Sequence, residues 1–470
     1  MFTNWYLSDA INGQNAEPKL FVFAAGGSGM RVVEALTMLT AAGYFDEEKY
    51  TIVPILFDYD YENPSLLQAE ESLRLYRQLH QKCGPSSFFS HKIMPLYHDD
   101  SSFLFDMEQE DKSLLVKYHL REYFKEHDLL RKLTESLMGD FNAPESILGE
   151  HFNNIHAKSG ASPCNYARLL IGDLSHRDDF SRLFNQVHEN DAFVVVGSTY
   201  GNTGTASVFE LANSLNMHFH SMRKAAVMLL PFFKTSHNDD LFTKFDTEEM
   251  EMRSKDTLSF FTNHHIIDKF NCSYFISAQA LSRITLQSGG QKQHFPFTIF
   301  DIMAVAAISD FLRKRDAELS GSNSFYLSLP RHRSEEFCID DLCAMDTGKR
   351  VVECLTRFSL SMKYVHETQI ENDSAFWKHL KRFAEIYYNW IDSMNGIDGG
   401  NGLSLFKLRD SKFNQILMDR EFVRKRLGFN KQLFSKEDFI HAMGDSHSPL
   451  IEQLTRASNY IFDNYISEEI

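Results

Sequence analysis

The chain has 470 residues, enough for two or three domains, and its 43% hydrophobic and 24% charged residues are ordinary for a globular protein. Its formal net charge of −16 disfavours direct contact with nucleic acid or with an anionic membrane, because both partners require a basic surface. The composition therefore argues against nucleic acid and membranes as direct partners, but it does not indicate a function.

The start of the chain has the pattern of an α/β domain. An apolar strand at 20–25, a glycine-rich loop at 26–29, a helix from about 30 to 42 and a strand at 50–58 form a β-α-β unit. Both strands are apolar throughout, which is typical of a parallel sheet with helices on both faces. An acidic turn, DYDYENP, follows the second strand.

Strands and helices continue to alternate up to about residue 315. Further strands are predicted at 192–197, 225–233 and 271–279, and helices at 65–82, about 164–172, about 178–189, 207–217, within 246–267 and from about 297 to 315. A charged, Phe-rich segment at about 91–155 is interpreted as a helical insertion. The alternation predicts one doubly wound, mostly parallel sheet within residues 1–315.

The sequence changes character after a predicted surface break at 320–324. Residues 374–394 carry aromatic and aliphatic side chains at helical spacing, a pattern more typical of a helix core than of a cofactor site. We expect a mainly helical C-terminal domain over residues 316–470.

The cysteines and the N-terminal residues indicate the compartment. The six cysteines form no CxxC pair and no zinc-type spacing with histidine, so we expect reduced thiols. Neither a signal peptide nor an apolar run of membrane-spanning length is found. The expected location is the cytoplasm.

Three loops of small residues are predicted at the carboxyl ends of strands: GGSG at 26–29, SGASP at 159–163 and GNTGTAS at 201–207. Such a loop at the start of a helix directs backbone N–H groups and the positive end of the helix dipole to one point, which favours phosphate. One loop alone also fits tight strand–helix packing, but three at one sheet edge predict a nucleotide site. A GxxxxGKS/T motif is absent and position 31 is Arg, so neither the P-loop nor the dinucleotide fingerprint fits.

In this order the motifs resemble those of the tubulin and FtsZ superfamily of GTP-binding proteins, as a divergent, prokaryotic-type member. YGNTGTAS at 200–207 is similar to the family's GGGTGTG-type loop, with Asn202 and Ala206 in place of two glycines. The likeness covers about residues 19–315. The other segments that carry it are, in chain order, GGSGMRVVEAL, FDYDYEN, SGASPCNYARLL, LLPFFKT, SYFISAQ and FPFTIFDIMAVAAI.

The resemblance implies a site for GTP or GDP with Mg²⁺. The positions it implies for phosphate are the small residues of the three loops: Gly26, Gly27, Ser28, Gly29, Met30, Gly160, Ala161, Ser162, Gly201, Asn202, Thr203, Gly204, Thr205 and Ala206. Those it implies for ribose and base are Lys234, Gln279, Phe297 and Asp301. Asp58 and Asp60 would lie near Mg²⁺, with two solvated loop carboxylates as the alternative. Asp301 would accept from guanine, with a helix-start role as the alternative.

The resemblance also implies an activity. The family completes GTP hydrolysis with an acidic loop from a neighbouring subunit, for which Asp340 and Asp341 in FCIDDLCAMD are the nearest match; an acid-rich helix start is the alternative. The implied protein is a GTPase that assembles with itself into oligomers or filaments and contacts other proteins through its helical C-terminal region. A non-hydrolysing nucleotide-dependent switch or scaffold, and an oxidoreductase or transferase with an unusual dinucleotide site, remain open.

Overall fold

The fold comes from a computed structural model and is centred on a parallel sheet. The residues that it describes are 17–58, 63–84, 87–96, 132, 136, 183, 185–235, 247–278, 282–284, 297–329, 346–368, 374–394, 436–444 and 448–467. The predicted insertion at 91–155 therefore lies almost wholly outside the described residues, as does the predicted helix at 164–172.

Six strands form the main sheet in the order β2-β1-β3-β4-β6-β8, and every neighbouring pair is parallel. Two short strands, β5 and β7, form a separate parallel pair. The strands are β1 Lys19–Ala25, β2 Thr51–Phe57, β3 Ala192–Ser198, β4 Arg223–Leu229, β5 Phe233–Thr235, β6 Cys272–Ala278, β7 Ser282–Ile284 and β8 Asn323–Leu329. The predicted parallel α/β architecture is confirmed.

Helices connect the strands and follow the last of them. They are α1 Gly26–Ala41, α2 Pro64–His80, α3 Asn202–His218, α4 Thr247–Asn263, α5 Ile299–Arg313, α6 Asp346–Glu367, α7 Ala375–Met394, α8 Lys436–Met443 and α9 Leu450–Ile461. From residue 346 onward the described elements are helices, as predicted. No helix in the described ranges is long and apolar enough to cross a membrane.

The sheet is apolar throughout because both of its faces are buried. Leu20 and Val22 of β1 belong to a cluster with α1, α2, α5 and the C-terminal helices, whereas Phe21 and Phe23 belong to a second cluster with α3. Alternate residues of a strand point to opposite faces, so a strand covered on both sides has no polar positions. The run of apolar residues in β1 follows directly.

Two predicted helix starts were too late along the chain. Helix α1 begins at Gly26 and not near residue 30, and α3 begins at Asn202 and not near Ser207. The glycines suggested loops because glycine lowers helix propensity by about 1 kcal/mol relative to alanine. Here they lie in the first turns of the helices, where close packing on the strand ends outweighs that propensity.

One predicted strand is divided. The segment 225–233 contains β4, which ends at Leu229, and the start of β5 at Phe233. Pro231 stands between them, and proline has no N–H to donate to a central ladder. The short β5 then pairs with β7 beside the main sheet.

The main sheet continues past residue 315. Strand β8 pairs with β6 after an exposed turn at Gly321 and Ser322, within the predicted surface break. Phe358 of α6 and Trp390 of α7 belong to the same hydrophobic cluster as α1 and α5. The division into domains at 315 remains a prediction, and the described helices beyond it share a core with one face of the sheet.

The strand order also contains a topological switch point. From β1 the chain first moves to β2 on one side and later returns to β3 on the other side. Ligands of open α/β sheets bind at the carboxyl ends of the strands where the direction reverses, because two loops diverge there and leave a crevice. In this sheet that point is the carboxyl end of β1 and β3.

Candidate functional site

Helices α1 and α3 begin side by side at the carboxyl ends of β1 and β3. The two strands are paired, with Ala24 opposite Val196. A Cβ added to Gly26 would lie 3.3 Å from Cβ of Thr203 and 3.4 Å from N of Gly204. The first and third predicted phosphate loops are therefore in contact across the switch point.

Glycine allows both helix starts to approach the strands closely. A Cβ on Gly29 would lie 2.7 Å from the carbonyl carbon of Ala24 and 3.1 Å from the carbonyl oxygen of Val196. A Cβ on Gly204 would lie 2.8 Å from N of Ser198. All of these are backbone atoms, which cannot move aside as a side chain could. Gly26 has φ of +67°, a conformation that glycine adopts without strain.

Neither α1 nor α3 has a side-chain cap at its N-terminus. The N-cap residues are Ala25 for α1 and Gly201 for α3, which have no side-chain acceptor, and neither first turn contains an acid. Helix α2, by contrast, is capped by Asn63, whose side chain accepts from N of Ser65. The first N–H groups of a helix have no intrahelical partners, so two adjacent uncapped starts favour an anion between them.

The hydroxyl side chains of this crevice fall into two groups. Ser28 and Thr203 are partly exposed, and Oγ of Ser28 lies 3.4 Å from the hydroxyl of Tyr200. Thr205 is buried, and its hydroxyl donates to the carbonyl oxygen of Ser198 at 3.1 Å. Ser28 and Thr203 can therefore donate to a ligand, whereas the Thr205 hydroxyl serves the fold.

Two other predicted phosphate positions can contribute only backbone atoms. Met30 is fully buried in the cluster on one face of the sheet, and Ala206 is fully buried in the cluster on the other face. Gly27 lies in the first turn of α1, and Asn202 is the first residue of α3. The two helices thus bring together the positions predicted on the first and third loops.

Of the two predicted Mg²⁺ ligands, Asp58 lies among the residues that the structure describes. Asp58 follows β2, the neighbour of β1, and is 3% exposed; its Oδ2 accepts from Nδ2 of Asn63 at 3.2 Å. The alternative of a solvated carboxylate therefore does not describe Asp58. Asp60 lies outside the described residues. Among the residues that are described, no group of three or more His, Cys, Asp or Glu could hold a metal ion, and the Mg²⁺ site remains a prediction.

Asp301 lies in the first turn of α5 and is fully buried. Its Oδ2 accepts from the backbone N of Thr298 at 2.7 Å and from the Thr298 hydroxyl at 3.1 Å, so the helix-start role is present. Its Oδ1 lies 3.5 Å from Nε of Arg31. Burial raises the pKa of Asp301, and the guanidinium of Arg31 opposes that rise.

Two of the other predicted base and ribose positions, Phe297 and Lys234, lie among the described residues. Phe297 is buried, and its ring lies 6.5 Å from that of Trp390 of α7. Lys234 lies in β5, whose partner is β7. The remaining predicted positions lie outside the described residues: Gly160, Ala161, Ser162, Gln279, Asp340 and Asp341.

No family model, curated protein or solved structure matches this chain. The likeness to tubulin and FtsZ therefore depends on the motifs and their order alone. The structure supports the parallel α/β fold and the meeting of two glycine-rich helix starts.

Three buried polar residues beside the crevice were missed in the sequence: Arg31, Glu34 and Tyr200. Arg31 and Glu34 interrupt the apolar sequence of α1 three residues apart, which places them on one face of the helix. Both are at most 2% exposed. A charged pair within an otherwise buried helix was the available signal, since long charged side chains are rarely fully buried without partners.

Proposed function

We propose that this chain binds a guanine nucleotide with Mg²⁺ at the carboxyl ends of β1 and β3. The observation that carries the proposal is the contact between two uncapped, glycine-lined helix starts at the switch point of a parallel sheet. Their N–H groups suit the negative charge of a diphosphate or triphosphate. Guanine is proposed from the order of the motifs, which resembles that of the tubulin and FtsZ superfamily.

GTP hydrolysis and assembly in the cytoplasm form the second part of the proposal. Asp340 or Asp341 of one protomer would orient water at the γ-phosphate of the next, and the loop N–H groups with Mg²⁺ would stabilise the developing charge. Assembly into oligomers or filaments would then depend on nucleotide, because the two protomers would complete one catalytic site.

A nucleotide-dependent switch or scaffold without hydrolysis is the second candidate. The contact of Phe297 with Trp390 favours it, because a residue predicted to meet the base packs on a C-terminal helix. Occupancy of the crevice could thereby alter a surface for protein partners on the helical region without any turnover.

Nucleotide extraction tests the proposal. Protein purified in Mg²⁺ and then denatured should release GDP or GTP, identified by anion exchange against nucleotide standards. Release of NAD or S-adenosylmethionine, or of no nucleotide together with no GTP binding by the purified chain, would contradict it.

Light scattering after addition of GTP and Mg²⁺ separates the two candidates. A rise in scattering followed by phosphate release supports the assembling GTPase. Tight GTP binding without scattering and without phosphate release supports the switch.

A further inference from the structure

The buried ion pair between Arg31 and Asp301 connects the first glycine-rich helix to the start of α5. Nε of Arg31 lies 3.5 Å from Oδ1 of Asp301, and the two side chains are 3% and 0% exposed. Arg31 lies one turn after Ser28 on α1, and Ser28 contacts Tyr200 at the end of β3. The pair therefore adjoins both helix starts of the proposed site.

The two oxygens of Asp301 have different surroundings. Oδ2 accepts two hydrogen bonds from Thr298, which hold the carboxylate at the helix start. Among the described residues, Oδ1 accepts no hydrogen bond and has the ion pair with Arg31. A carboxylate oxygen can accept more than one N–H, so Oδ1 retains capacity for a donor from a ligand.

The charge state of Asp301 decides what it can recognise. An ionised carboxylate is acceptor-only, which suits the N1–H and N2 amino group of guanine and opposes the N1 acceptor of adenine. Burial favours the neutral acid and raises the pKa of Asp301, and nearby Glu34 is itself mostly protonated at neutral pH because burial raises its pKa to about 8. Arg31 is the cation that counteracts the effect of burial on Asp301, while Tyr200 is neutral because burial raises its pKa.

We propose that Arg31 is a positioning residue for base recognition, which keeps the Asp301 carboxylate ionised with Oδ1 directed away from the helix cap to accept from guanine. This inference rests on the proposed function. Since Asp301 is fully buried, a base reaches it only when a covering side chain moves.

The test measures affinities of the full-length chain for GTP and ATP by calorimetry in Mg²⁺. Arg31→Met should lower GTP affinity at least about tenfold and reduce the preference over ATP, because a neutral Asp301 no longer excludes an acceptor. Arg31→Lys should keep the charge and most of the preference. The matched control is Arg223→Met. Arg223 is the first residue of β4, at the amino end of that strand and therefore at the opposite end of the sheet from the proposed site. Its guanidinium donates to the carbonyl oxygens of Phe311 and Lys314.

The pH profile separates this role from a structural one. In Arg31→Met the loss of the cation raises the pKa of Asp301 further, so the GTP affinity of this variant should fall more steeply than that of the wild type as the pH is lowered. An equal loss at every pH would mean that Arg31 supports only the fold, and would overturn the inference.

A comparison within the Asp301→Asn background gives a second test that does not need Arg31→Met to fold alone. Asp301→Asn should prefer XTP, because the amide can donate to the xanthine 2-oxygen. Adding Arg31→Met to Asp301→Asn should not weaken XTP binding, since no carboxylate remains to be kept ionised. A further tenfold loss would overturn the inference. Failure of the wild type to bind GTP would overturn the proposed function as well, whereas GTP binding with an unaffected Arg31→Met would overturn this inference alone.

Discussion

At the scale of single residues, the chemistry of the site depends on which polar groups are buried. Glu34 is fully buried; its Oε1 accepts from Nε2 of Gln68 at 2.8 Å. Burial raises the pKa of Glu34 to about 8, and the carboxylates of Asp301 and Glu71 add to the rise. Glu34 is therefore mostly protonated at neutral pH, which limits the negative charge near Asp301.

Glu34 should make the protein less stable as pH rises. The folded state binds this proton more tightly than the unfolded state, so the stabilisation is complete below about pH 4.5 and is lost on approach to pH 8. By pH 7 the loss amounts to about 3 kcal/mol. Glu34→Gln resembles the protonated acid and should remove this dependence in urea unfolding between about pH 5 and pH 9.

The exposed Glu367→Gln is the control for that series. Its side chain is 53% exposed and forms an ion pair with Lys363 at 3.8 Å, so its effect on stability should be small at every pH. Identical pH dependence in Glu34→Gln and in the wild type would show that Glu34 is ionised in the folded protein.

At the scale of elements, the first turn of α3 shows how a helix start can serve both fold and ligand. Thr203 and Thr205 are two residues apart, so they lie on different sides of the helix. The former is partly exposed at the contact with Gly26, and the latter is buried on Ser198. The sequence could not distinguish these two threonines. The helix was predicted to begin near Ser207, five residues after its actual start at Asn202, so neither threonine was assigned to a side of the helix.

Two valine substitutions in this turn should therefore have different effects. Thr203→Val should reduce retained nucleotide about tenfold with little change in the melting temperature, because a ligand donor is lost. Thr205→Val should lower the free energy of unfolding by about 1 kcal/mol, since the Ser198 carbonyl loses a donor, and should leave affinity unchanged in the folded fraction. Nucleotide per chain and thermal unfolding are the measurements. Loss of nucleotide in Thr205→Val alone would reverse the assignment.

At the scale of the whole molecule, the sheet and the C-terminal helices are joined by one core and by ion pairs. Trp390 and Phe358 pack in the cluster that also contains α1 and α5. Arg382 of α7 forms two hydrogen bonds with the carboxylate of Glu71 of α2, at 2.8 and 3.2 Å. The hydrophobic contact contributes most, because ion pairs this exposed are worth at most about 1 kcal/mol.

We expect the sheet and the C-terminal helices to unfold in one transition. Trp377 and Trp390 lie on α7, so in a Trp5→Phe variant the tryptophan fluorescence comes from α7. Cys272 is buried in β6, so pulse labelling of its thiol reports the sheet. Coincident midpoints in urea are expected from the shared core. Separate midpoints would instead support two domains divided near residue 315.

The sequence by itself determined the parallel sheet, the glycine positions and the aromatic face of α7, because each depends on a local repeat. Strand β8 was missed although SFYLSL alternates, since it follows a turn that suggested a boundary. The tertiary structure alone decided that Arg31 meets Asp301, that Glu34 is buried and that Thr205 is bonded to Ser198. These contacts join elements distant in sequence, and burial, which sets charge state and hydrogen bonding, exists only once those elements pack together.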